Sequence, residues 1–90
     1  MTQTAKTFVR EPFRIDLSGA FIRRTDLSGA NLSRADCKNA IFRGANFRDA
    51  KLDGTILKGA DLSGARNLTR AQIASAVIDE FTILPADIAE

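Results

Sequence analysis

Catalysis by this chain would have to draw on eleven carboxylates, one thiol and scattered hydroxyls, because its 90 residues include no histidine. Imidazole acid–base work, His-based triads and His metal ligands are therefore excluded. Asp16 and Asp36, twenty residues apart, form the pair best placed to share a proton if the fold stacks them. No cleft or third group supports that use, and solvated turn carboxylates are the better account. The serines of Leu-Ser-Gly at 17–19, 27–29 and 62–64 lack the preceding glycine and the strand-to-helix setting of a nucleophile elbow. Gly59 and Gly64 are spaced like a phosphate loop, but Ala65 stands where lysine is required. A lone Cys37 among dispersed carboxylates makes no zinc site and reads as a small core residue. The expectation is a non-enzyme with no cofactor and no metal.

The elements that position these residues follow from a cadence of five between Ile15 and Gly64. The blocks are IDLSG, AFIRR, TDLSG, ANLSR, ADCKN, AIFRG, ANFRD, AKLDG, TILKG and ADLSG. Their third residues are Leu17, Ile22, Leu27, Leu32, Cys37, Phe42, Phe47, Leu52, Leu57 and Leu62, all apolar or Cys. Five helical residues advance a net ~140°, so in a helix these ten would spiral around the axis. In a continuous strand an odd step flips each block to the other side. A short extended piece followed by a bend keeps the first and third residues of every block inside. The fifth residue, Gly in six of ten blocks, supplies the bend. A chain bending the same way every five residues closes on itself and climbs, giving a solenoid whose coils cover one another.

The block A-(D/N)-L-x-x, as in ANLSR, ADLSG and ANFRD, resembles the pentapeptide-repeat family over ten consecutive blocks. The resemblance implies an all-β solenoid, a right-handed quadrilateral β-helix with four blocks per coil and the third residue fully inside. Residues 15–64 would then make about two and a half coils, ~12 Å tall at the sheet spacing. Vertical neighbours fall twenty apart: Leu17–Cys37–Leu57, Ile22–Phe42–Leu62, Leu27–Phe47 and Leu32–Leu52. Departures are Ile15, large where Ala is usual, and Phe21, Ile41 and Ile56, apolar where Asp or Asn is usual.

Ninety residues bound a single small domain. Residues 1–14 form an N-terminal tail and cap, with Phe8 and Phe13 as plugs of the first coil. Residues 65–90 form the C-terminal cap. Thr69-Arg70-Ala71-Gln72 fits a capping box opening a helix over about 70–78, with Leu68 and Ile73 as its staple. Ile73, Ala76 and Val77 share the face expected on the last coil, and Phe81, Ile83 and Leu84 continue the apolar cover. This ending looks like the C-terminal cap common in the family, which implies a complete chain. No leader peptide and no long apolar run are present, giving a cytoplasmic, bacterial protein without a membrane segment as the expectation.

Binding is the remaining class of function. Phe21 and Ile41 lie one above the other, with Arg23, Arg24 and Arg43 beside them and Ile56 on the preceding face. Aromatic, aliphatic and arginine side chains together suit a protein interface. The competing account is that isolated exposed apolar residues are ordinary. The expected partner is an unidentified protein, a second copy in a homodimer, or both. Nucleic acid is disfavoured: the cations are interleaved with Asp around the solenoid, and there is no Tyr or Trp to stack on bases. The family also suggests DNA mimicry that protects a type II topoisomerase, or neutralising or regulatory binding of one enzyme. A formal charge of +2 and a short rod argue against mimicry.

Overall fold

A computed structural model describes residues 14–88. Nine parallel bridges organise the described residues, and seven of them join residues twenty apart. They line up in four columns: Asp16–Asp36–Ile56–Val77, Phe21–Ile41–Asp61–Ile83, Asp26–Asn46–Arg66, and Asn31–Lys51. Within the repeat, each bridging residue is the second of its block. The backbone repeats the same bonds at every level, as when Leu17 N–H donates to Asp36 O at 2.7 Å and Cys37 N–H to Ile56 O at 2.8 Å. The result is a β-helix-like coil of short extended pieces separated by turns.

The turn explains the fifth position. The first residue of a block donates its N–H to the third residue of the block before, as from Ala20 to Leu17 O at 2.9 Å. A turn closed this way with a positive φ at its third residue favours Gly, Asn or Asp there. Non-glycine residues also hold that conformation, among them Arg24 (φ 56), Arg34 (φ 64), Asn39 (φ 60) and Asp49 (φ 58).

The second position has a job that its polarity alone does not reveal. Asp16, Asp26, Asn31, Asp36, Asn46 and Asp61 each accept through Oδ1 from the N–H two residues on. This side-chain bond pins the approach to each turn.

Inside, Leu32, Cys37, Phe42, Phe47, Leu52, Leu57 and Leu62 are buried together with the first-position alanines 35, 40, 45, 50, 60 and 65. Phe42 and Phe47 meet edge to face, with centroids 5.4 Å apart. Leu17, Ile22 and Leu27, in the lowest coil, are half-buried against this core. The plugs expected from Phe8 and Phe13, and most of the 1–14 cap, lie outside the described residues.

At the upper end, α1 spans Arg70–Ser75 and opens on the capping box: Gln72 N–H donates to Thr69 Oγ1 at 3.1 Å, and Thr69 N–H to Gln72 Oε1 at 2.7 Å. The helix ends three residues short of the expected 78. Val77 is drawn out to bridge Ile56, donating to Thr55 O and accepting from Leu57 N–H, so ladder pairing overrides helix propensity. Ile73 and Ala76 pack on the core, but Val77 does not share their face and is exposed. Phe81 and Ile83 also differ from expectation: they are 69% and 51% exposed, and only Leu84 of that run reaches the core.

Side chains of this end replace the missing next coil. Gln72 Nε2 donates to Phe47 O and Ala50 O, both at 2.9 Å. Thr82 Oγ1 donates to Leu57 O at 2.8 Å. Gly19 and Asn39 donate their N–H groups to carbonyls of the coil above, whereas Gly59 donates to the Asp79 carboxylate at 3.0 Å. Burial opposes the charge on Asp79, but donors from Gly59, Phe81 and Thr82 hold its carboxyl below the usual range. Among the described residues no helix is long and apolar enough to cross a membrane.

Candidate functional site

The column Phe21–Ile41–Asp61–Ile83 carries the face singled out from the sequence. Phe21 is 67% exposed, because a second-position side chain points outward from its bridge. Arg23 lies over its ring, with the guanidinium carbon 5.4 Å from the centroid, a cation–π contact. The block around Phe21 is also the least restrained. Phe21 cannot accept from the N–H two residues on, and the Ile22–Thr25 turn lacks the closing backbone bond made by its neighbours. Thr25 Oγ1 instead donates to Arg23 O at 3.4 Å. Arg24 holds a positive φ at this corner, with its stem against Gly44 in the coil above.

One coil higher, Ile41 is half-buried. Arg43 reaches upward, its Nε 2.7 Å from Asp61 Oδ2, and so is engaged within the chain. Ser63 donates to Asp61 Oδ1 from its N–H at 3.0 Å and from Oγ at 2.6 Å. Burial pushes the Asp61 carboxyl up, but Ser63 and Arg43 together hold it below the ordinary value. Ile56 sits in the preceding column, between Asp36 and Val77, and is half-buried. Phe21, Arg23, Arg24 and Ile41 thus form one face, with Arg43 tied down at its upper edge and Ile56 around the corner.

Ile83 extends this column, a placement the five-residue cadence could not give. It follows Asp61 by twenty-two residues instead of twenty, since the cap lengthens the path between rungs. The one available signal is an apolar residue near the expected step.

The groups considered for catalysis are spent on structure. Asp16 and Asp36 do bridge, yet Ser18 binds one carboxylate through both N–H and Oγ, while Lys38 holds the other, its Nζ at 3.4 Å. The Ser18 hydroxyl and N–H lower the Asp16 pKa, the opposite of what a proton donor at neutral pH needs. Cys37 is fully buried, and burial pushes its thiol up to about 12, aided by Asp36 and Asp16. Among the described residues no cluster of His, Cys, Asp or Glu could hold a metal ion. An open depression beside the start of α1 is lined by Arg48, Asp49, Asn67 and Gln72, whose amide is already bonded to two carbonyls.

A family model described as pentapeptide repeats matches in eight copies, over residues 13–49, 30–66 and 40–78. No curated protein matches. Fourteen chains of known structure do. One is a crystal structure of a pentapeptide repeat protein, Rfr23, from the cyanobacterium Cyanothece 51142, at 26% identity and a TM-score of 0.45. The match covers 77% of this chain and 53% of that one, so the chain spans about half the length of this neighbour. With most of its length, residues 13–78, covered by the family model and the same cadence written into its bridges and turns, the chain belongs to the pentapeptide-repeat family.

Proposed function

We propose that the chain is a non-enzymatic protein-binding or scaffold module, built as a right-handed, four-sided β-helix capped at both ends. Its contact surface is the Phe21 face, with Ile41, Arg23 and Arg24, bordered by Arg43. The observation that carries this reading is the local sacrifice at Phe21. A block that would gain a turn-pinning bond from Asp or Asn instead exposes an aromatic ring under an arginine. Aromatic and arginine side chains at one place are the usual anchors of protein contacts.

The test is capture from an extract of the source organism on immobilised chain, comparing wild type with the Phe21→Asp/Ile41→Asp variant. A partner retained by the wild type and lost by the variant is the expected result. A variant that keeps both partner capture and self-association sinks the proposal.

A further inference from the structure

We draw no further inference here: the strongest candidate, the surface patch along the column Phe21–Ile41–Asp61–Ile83 with its exposed apolar ends at Phe21 and Ile83, is an unpartnered face, and nothing in the structure shows what covers it.

Discussion

Phe21 and Asp61 occupy the same position in the same column, two coils apart, and their surroundings are opposites. The Asp61 block is closed: the carboxylate takes two bonds from Ser63 and one from Arg43, and Ala65 N–H closes the turn onto Leu62 O at 3.0 Å. The Phe21 block has no such side-chain bond, an unclosed turn and an arginine in a left-handed conformation. One fold position can thus serve as a brace or as a handle, depending on whether its side chain turns back to the backbone. The middle rung, Ile41, stands between these uses over Phe42, which is buried in the core they share.

The largest effect should come from removing that shared floor. Phe42→Ala empties a fully buried site in edge-to-face contact with Phe47 and should cost about 3–5 kcal/mol in chemical denaturation, abolishing the difference between the two ends. Asp61→Ala should cost about 1–3 kcal/mol near pH 7, because Arg43 and Ser63 lose their acceptor. Phe21→Asp should instead fall within about 0.5 kcal/mol of wild type, since the new carboxylate can accept from Arg23 N–H as Asp61 does from Ser63. A substitution at Phe21 as costly as the one at Asp61 would erase the contrast.

Acid sharpens the same comparison. The Asp61 carboxyl is held below its unfolded value near 3.9, so its contribution is complete above that value and is lost as pH falls through the lower, folded one. Unfolding free energies measured from pH 6 to pH 2 should converge for wild type and Asp61→Ala at the acid end. A gap that stays constant with pH would show that the carboxylate is not the source of the difference.

The smallest contrast lies between two corners. A Cβ at Gly44 would sit 3.2 Å from the Arg24 stem, whereas one at Gly64 meets only ordinary contacts, the nearest at 3.7 Å. Both glycines have φ +70, so Gly→Ala at either should cost about 1 kcal/mol from backbone strain. Gly44→Ala should cost a few tenths more, and an Arg24→Gly background should remove that excess.

The cadence of five makes the solenoid, its inward residues and the stacking of Phe21 on Ile41 legible, because burial and turn geometry act at every block. The end of α1 is not legible. Ala-Ser-Ala-Val-Ile-Asp carries no helix stop, and Val77 leaves only because Ile56 offers it a bridge. The exposed placement of Ile83 is hidden for the same reason, since its rung depends on a cap whose length breaks the count. The Arg43–Asp61 pair escapes a reading that sets each fourth-position side chain against its own level, because the contact spans two. The bracing use of second-position Asp and Asn looks like simple solvation, an error that polarity invites when backbone donors are not counted.

The corners also set how such a rod can lengthen. Within the repeat, successive coils place Gly19 under Asn39 and Asn39 under Gly59, Arg24 under Gly44, Gly29 under Asp49, and Arg34 under Gly54. At each of these steps one of the two residues is glycine. Copying a single twenty-residue coil would stack Arg24 on Arg24 and Arg34 on Arg34, with their backbones about 5 Å apart and no glycine for either stem to lie against. Growth by duplication would therefore lose the glycines that now face the Arg24 and Arg34 stems at Gly44 and Gly54.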